Sequence, residues 1–577
     1  MRQQSVLVAL ASLTALALAA TPNVIVIMAD DQASDTLLDS MSVMPNVKSL
    51  IADKGITYER HYCTVSWCCP SRVNFLTGKA AHNTNVTGLE APWGGWPKFV
   101  NQGLNKNYLP VWLNDAGIDT YYVGKFMNAY TTENFLKPAP KGWTDFSMLL
   151  EPGCYDFMHS IWNEGDKVVK KPGIHTQKIT NEKTLQYLDD AAEARKPFFL
   201  MVAPVAPHVE ITQSGVVNNP PPMPAQKGLF NDRIAPRRKN FNPDVSSGAS
   251  WVANKRKLTE KEVKAGDAHH ASRLRSIAGI DDMVKLIVDK LKDKKLLENT
   301  YIIYTSDNGY HISNHRLLPG KRCGYEEDIS IPLLMTGPGI PQKRTSTIVS
   351  SHTDLAPTIL KLFGVPQRPD FDGSVIEYTD SALKNSKRKE VVNVAFWDPD
   401  VAHENVEWKK STPAQVYRNV WKSIRLQTAY GDFYYSVWCD GSKEFYDMDD
   451  DFAQMSNPLR TPLATTAYKK TYFSRPFAQL LTRLDTLLLI TKTCKGDSCR
   501  HPWRVAFPGG KVNYLYDAMD EKYDRFFAEQ PKVDFECVPG DIRERSGPEK
   551  VEVFVERGKR ALGEREVRKL LPSFWRR

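Results

Sequence analysis

Residues 23–29 (NVIVIMA) form an unbroken apolar run of β-branched character. Such a run marks a strand covered on both faces, not an alternating edge strand. Similar runs recur at 198–202, 301–305 and 331–335, and a further strand is predicted at 119–123, after a helix at 109–115 and a turn at Gly117. Helical patterns are predicted at 45–53 and 354–363. Over 280–297, Met283, Ile287 and Leu291 share one side and lysines take the rest, which predicts an amphipathic helix. Strands alternating with helices argue for an α/β fold with a mostly parallel sheet. Past residue 384 the pattern changes. Phe433, Tyr434, Tyr435 and Trp438 cluster as in short antiparallel strands, and 477–489 reads as a helix with Pro476 at its start. We expect one domain over 21–384 and a smaller C-terminal α+β domain over 385–577. Residues 218–243, rich in Pro, Asn and Arg, lack periodicity and predict a long surface loop folding over the functional site.

Composition adds the setting. At 577 residues the chain is long enough for a large domain with a smaller partner. The net charge of +9 is modest, and part of it sits at Lys559-Arg560, Arg568-Lys569 and Arg576-Arg577. A basic tail can attract polyanions or nucleic acid. A solvated helix face explains it more simply, and no nucleic-acid partner is expected. Arg2 followed by the apolar run 6–18 and Ala17-Leu18-Ala19 fits a cleaved signal peptide over residues 1–20. The run is shorter than the roughly 20 apolar residues of a membrane span, so a secreted protein is expected.

Nine cysteines occur: 63, 68, 69, 154, 323, 439, 494, 499 and 537. An odd number in a secreted protein flags a special thiol. Cys494 and Cys499, with Gly496 between them, form the best local disulfide candidate. A zinc reading lacks the second ligand pair. Asn85-Val86-Thr87 is a glycosylation sequon.

Chemistry concentrates at Cys68-Cys69-Pro70-Ser71-Arg72, followed by Leu76-Thr77-Gly78. Pro70 suits the first position of a helix. Cys68 and Cys69 would then lie beside unpaired N–H groups that favour anions. Arg72, one turn in, can reach back with a guanidinium suited to sulfate-like oxygens. Gly78 reads as a C-cap. The plain alternative is two structural thiols beginning a helix. Asp30-Asp31 follows the first strand, and Asp307-Asn308-Gly309 follows the strand at 301–305. Ligands gather at the carboxyl ends of strands in open α/β sheets, and three carboxylates with an amide suit a hard divalent cation. Taken singly, these strings also read as a helix cap and a turn. Lys125 ends another strand in Gly124-Lys125, and His208 closes another in Ala206-Pro207-His208.

At every fixed position, residues 68–78 resemble the sulfatase signature C-x-P-S-R-x-x-x-L-T-G. The resemblance runs from Pro22 to about Ile359, and resumes at 444–449 and at the Cys494–Cys499 loop. It looks closest to the branch of fungal arylsulfatases and N-acetylglucosamine-6-sulfatases, with 230–243 and the Lys321 region similar to that branch. It implies an alkaline-phosphatase-like fold and oxidation of Cys68 to formylglycine by a maturase, with the hydrate as nucleophile toward sulfate esters. That conversion leaves eight cysteines available for pairing. It also implies one divalent ion, Ca²⁺ with Mg²⁺ as the alternative, on Asp30, Asp31, Asp307, Asn308 and the modified Cys68. Arg72, Lys125 and Lys321 would bind sulfate, His208 would serve the leaving oxygen, and His311 would line the pocket. Many sulfatases carry a histidine two residues after the lysine; this chain has Met127, with Asn128 as a candidate replacement. The expected activity is that of an arylsulfatase acting on a small sulfate ester, with a sulfated-sugar exo-sulfatase as runner-up. A phosphatase or phosphodiesterase of the same superfold, or a binding protein with a dead site, are the readings from other classes. The intact cysteine motif argues against both.

Overall fold

The computed structural model describes residues 21–34, 43–385, 389–398, 419–460 and 468–555. The expected signal segment and the C-terminal basic residues Lys559, Arg560, Arg568, Lys569, Arg576 and Arg577 lie outside the described residues.

Eight strands form the main sheet: β1 (Asn23–Ala29), β2 (Gly55–Tyr58), β3 (Asp119–Gly124), β4 (Asp145–Met148), β5 (Phe198–Ala203), β6 (Thr300–Ser306), β7 (Leu333–Thr336) and β8 (Arg344–Ser346). Their order is β8-β2-β7-β6-β1-β5-β3-β4. β7 alone runs against its neighbours; the other pairings are parallel. The mixed, mostly parallel sheet expected from the sequence is therefore present. β1 sits between β5 and β6 and is buried throughout. Val24, Val26 and Met28 enter the core on one face, and Ile25, Ile27 and Ala29 enter the core on the other. Period-two alternation with both sets apolar is what turns NVIVIMA into a central strand.

Helices cover both faces. α1 (Cys68–Thr77), α2 (Leu109–Asp115) and a later helix pack on one side, through Val73, Leu109 and Ile359. α3 (Thr176–Ala194) and α4 (Glu260–Asp293) pack on the other, through Leu188, Ile277 and Met283. The later helix of the first side is α5 (Leu355–Leu362).

Three local expectations change. The amphipathic helix expected at 280–297 is the second half of a single 34-residue helix, opened by a Thr259–Glu262 capping box. Its first half hides the pattern because His269, His270, Ser272 and Arg273 are buried there. The strand expected at 331–335 begins at Leu333 and is antiparallel. Pro70 is the third residue of α1, not the first, because the helix already begins at Cys68. This costs nothing, since the first turn's N–H groups have no helical partner.

The C-terminal part carries the expected antiparallel sheet: β9 (Val391–Trp397), β10 (Val420–Gln427), β11 (Asp432–Trp438) and β12 (Lys443–Asp447), in that order. α6 (Phe477–Thr491) packs on one face through Leu480, Leu484 and Leu487. The other face sends Trp421, Tyr434 and Trp438 against Tyr62, Cys63 and Trp67, just ahead of α1. The second sheet thus braces the segment that leads into Cys68.

Cys494–Cys499 is a disulfide as expected, and Cys439–Cys537 is a second. Full pairing of the remaining eight does not occur: Cys63, Cys69, Cys154 and Cys323 stay as buried thiols. Burial in the apolar core raises the Cys69 thiol to about 12, which keeps it protonated.

Glu390 Oε2 accepts from the Leu515 N–H at 2.9 Å, and burial raises its carboxyl from 4.5 to about 7. An acid that holds its proton more tightly when folded opposes folding once the pH passes from its unfolded value through its folded one. We expect Glu390→Gln, which keeps an acceptor, to stabilise the protein at pH 8 by about 1–3 kcal/mol. Below about pH 4.5, where both states are protonated, the difference should vanish in thermal or urea unfolding.

Candidate active site

The site follows from strand direction. β1, β3, β5 and β6 are parallel, so their carboxyl ends lie on one edge. Those ends deliver Asp30-Asp31, Gly124-Lys125, the 206–208 turn and Asp307-Asn308. Asp30, Asp31 and Asp307 are fully buried. One carboxylate oxygen from each, with Cys68 Sγ, lies within 4.8 Å of the others. Asp31 takes up φ +71°, a left-handed conformation that aspartate tolerates and that points its carboxylate back to the sheet edge.

α1 brings Cys68 to this cluster. Ser71 Oγ donates to the Asp307 carbonyl at 2.5 Å, and His352 Nδ1 is 2.8 Å from the same hydroxyl. Cys68 Sγ lies 3.6 Å from Asp30 Oδ1 and 3.9 Å from Asp31 Oδ1. Burial pushes its thiol well above the ordinary value, so the unmodified side chain is a poor thiolate nucleophile.

Cations surround the acids. Arg72 Nε donates to Asp307 Oδ2 at 2.9 Å, and Nη1 donates to the Lys125 carbonyl at 2.6 Å. Its Nη2 is buried with no hydrogen-bond partner among the described residues. Lys125 Nζ donates to Asp30 Oδ2 at 2.5 Å. Lys321 Nζ pairs with Asp31 and lies 3.0 Å from Cys68 Sγ. Arg273, from the polar first half of α4, donates to the Pro207 and Asp31 carbonyls. Burial works to raise the Asp307 carboxyl, but Arg72, then Lys125 and Lys321, hold it well below the usual range. For Asp30 burial, and next Asp307, win and push it up. Burial would lower Arg72 and Lys125, yet the carboxylates beside them drive both up, so both stay charged.

His208 Nδ1 lies 2.8 Å from the Val209 carbonyl, which can only accept. The proton therefore sits on Nδ1, and Nε2 faces Asp31 Oδ2 at 3.7 Å. Asn308 Nδ2 donates to Asp31 Oδ1 at 2.8 Å. His311, expected to line the pocket, gives Nδ1 to Asp328 Oδ1 at 2.7 Å and is not part of the acidic cluster. Met127 is buried in the core behind the site. Asn128 donates from Nδ2 to the Tyr155 hydroxyl at 2.7 Å. Loop 218–243 docks beside the site: Asn242 N–H donates to the Ser313 carbonyl and Asn240 Nδ2 donates to Glu327.

The residues present fit a hard divalent cation. Asp31 Oδ2 and Asn308 Oδ1 are buried without hydrogen-bond partners among the described residues. Orphaned oxygens of this kind, beside three clustered carboxylates, match the oxygen set that Ca²⁺ or Mg²⁺ takes and not the sulfur and imidazole set of zinc.

Sequence reasoning missed Tyr155, Arg273 and His352, and gave Ser71 no role beyond its place in the motif. Tyr155 and His352 carried no pattern that could have found them. Arg273 did leave a signal, since it precedes Ile277 by four and Ile280 by seven residues, on the buried stripe of α4.

A deep acidic cluster ringed by cations, at the carboxyl edge of an α/β sheet, suits a hard cation together with an anionic group. The sulfatase family model matches residues 22–365. An arylsulfatase of Volvox carteri is 31% identical over 571 residues, covering 92% of this chain and 84% of that protein. The N-acetylglucosamine-6-sulfatase of Homo sapiens is 29% identical over 502 residues, covering 83% of this chain and 86% of that protein. Among solved structures, BT4656 in complex with D-glucosamine-2-N,6-O-disulfate superposes with TM-score 0.60 at 22% identity, covering 78% of this chain and 94% of that one. This last likeness speaks for the fold, which is alkaline-phosphatase-like. The chain belongs to the sulfatase family.

We expect chelation to lower the melting temperature and re-addition of a divalent cation to restore it, since saturation at 100 Kd stabilises by about 2.7 kcal/mol. Asp31→Asn should abolish the restoration; an unchanged response in that variant would remove Asp31 from the ligand set.

Proposed function

We propose that the protein is a secreted, arylsulfatase-like hydrolase that splits sulfate esters into an alcohol or phenol and inorganic sulfate. The single observation behind this reading is the place of Cys68. It starts a helix, is buried, and lies within hydrogen-bonding reach of Asp30 and Lys321. Conversion of Cys68 to formylglycine by a maturase would supply, as the hydrate, the nucleophile that the buried thiol does not. Asp30, Asp31, Asp307, Asn308 and the modified Cys68 would hold the cation, Ca²⁺ by preference over Mg²⁺, which would polarise the sulfate group and neutralise charge.

The chain's own groups do the rest. The orphaned Nη2 of Arg72 and the ammonium groups of Lys125 and Lys321 bind sulfate oxygens and offset the charge that builds as the ester S–O bond breaks. Arg72, Lys125, Lys321 and Arg273 outnumber the three carboxylates, so the pocket attracts an anion, and a bound divalent cation would strengthen that attraction. His208, when it carries a proton on Nε2 as well as the one that Nδ1 gives to the Val209 carbonyl, passes the Nε2 proton to the departing oxygen and keeps the other. An alkoxide needs that proton more than a phenolate does. His311 belongs to the pocket wall, oriented by Asp328.

The second reading, a sulfated-sugar exo-sulfatase, is favoured by the similarity to N-acetylglucosamine-6-sulfatase. A turnover panel of aryl sulfates against sulfated monosaccharides decides between the two. Secretion rests on the N-terminal segment outside the described residues. Among the described residues no helix is long and apolar enough to cross a membrane. Division into domains at about residue 384 and use of the half-buried Asn85 as a glycan site belong to the same proposal.

We expect Cys68→Ala to fold and to lose turnover entirely; retained turnover would refute the nucleophile assignment. In matured wild-type protein the peptide containing Cys68 should be lighter by about 18 Da, the change from thiol to aldehyde. Active protein with an intact thiol there would count against the modification.

A further inference from the structure

One side chain that no motif announced touches both the sulfate-binding and the proton-donating parts of the site. Tyr155 comes from the irregular segment after β4 and is only half-buried, among neighbours that are fully buried. Its ring packs against His208 with centroids 4.5 Å apart and planes tilted by 31°. Lys125 Nζ lies 4.7 Å from the centre of the same ring. The hydroxyl accepts from Asn128 Nδ2 at 2.7 Å. The backbone is pinned as well, since the Tyr155 carbonyl accepts from the Ile211 N–H at 3.0 Å. Burial, and after it the acidic groups around the site, push the phenol well above its ordinary value and keep it protonated.

We propose that Tyr155 is a positioning residue for catalysis: one ring fixes His208 against the leaving oxygen and Lys125 against the sulfate, and Asn128 locks that ring. The physical basis is the face of an aromatic ring, which attracts an ammonium group and packs closely against a flat imidazole. A histidine held only by its Nδ1–H bond to the Val209 carbonyl could still rotate about that bond. The packed ring removes this freedom and keeps Nε2 aimed at the cluster. Asn128 also has a buried Oδ1 with no hydrogen-bond partner among the described residues. An amide turned by half a rotation would accept from the Tyr155 hydroxyl and leave Nδ2 to donate to a substrate oxygen. Either orientation ties Asn128 to Tyr155.

This inference rests on the sulfatase reading above. The test measures kcat/KM of matured protein on aryl sulfates of graded leaving-group acidity and on an alkyl sulfate. For Tyr155→Leu we expect a loss of at least tenfold on the alkyl sulfate and a smaller loss on 4-nitrophenyl sulfate. The dependence on leaving-group acidity should therefore steepen. Tyr155→Phe, which keeps the ring, should restore the wild-type slope, with kcat/KM lowered by no more than a few fold. Asn128→Ala should fall between the two, and it tests the lock should Tyr155→Leu fail to fold. Equal losses on all substrates, or a slope unchanged in Tyr155→Leu and Asn128→Ala, would overturn the positioning role while leaving the sulfatase reading intact. A wild-type protein without turnover on any sulfate ester would overturn both.

Discussion

Three carboxylates held within one ion's reach, and shut away from water, repel each other strongly unless positive charge surrounds them. Asp30, Asp31 and Asp307 are in that position, and the rest of the site follows from the need to offset them. Arg72, Lys125, Lys321 and Arg273 each answer it from a different element: α1, the end of β3, the loop after β6 and the first half of α4. Four separate segments are thereby drawn to one point.

The helix α1 shows how economically the arrangement is built. Its first turn brings Cys68 to the acids, its second residue on from Pro70 brings Arg72 to Asp307, and Ser71 ties the helix to the Asp307 carbonyl. His352 closes the loop, 2.8 Å from Ser71 and 2.9 Å from the Ser306 carbonyl. Burial lowers His352 to about 4, so this support stays neutral and adds no further charge to the crowd. Behind α1, the aromatic face of the second sheet packs on the 62–67 segment. The C-terminal part therefore serves the site by bracing the segment that leads into it.

Much of this was legible in the chain. The apolar runs at β1, β5 and β6 identify strands buried on both faces, and their alternation with helices fixes parallel order closely enough to send Asp30, Asp31, Asp307 and Asn308 to one edge. The Cys68–Gly78 string marks the helix that carries Cys68 and Arg72 to the acids. Less legible was α4, whose buried His269, His270 and Arg273 break the amphipathic pattern precisely where the helix turns from packing to lining the site. The four buried thiols were also hidden, because parity counts cysteines and cannot see which are kept apart by packing.

The class of chemistry, the strand-and-helix alternation and the identity of the acidic and cationic groups are readable from the chain, since these depend on residue type and short-range spacing. Packing alone brings the Tyr155 ring to both Lys125 and His208, turns His311 to Asp328 and carries Arg273 to the Asp31 carbonyl. Each of those contacts joins segments far apart in the chain. No local pattern records which loop will fall beside which strand end; chain packing around the buried charges settles that.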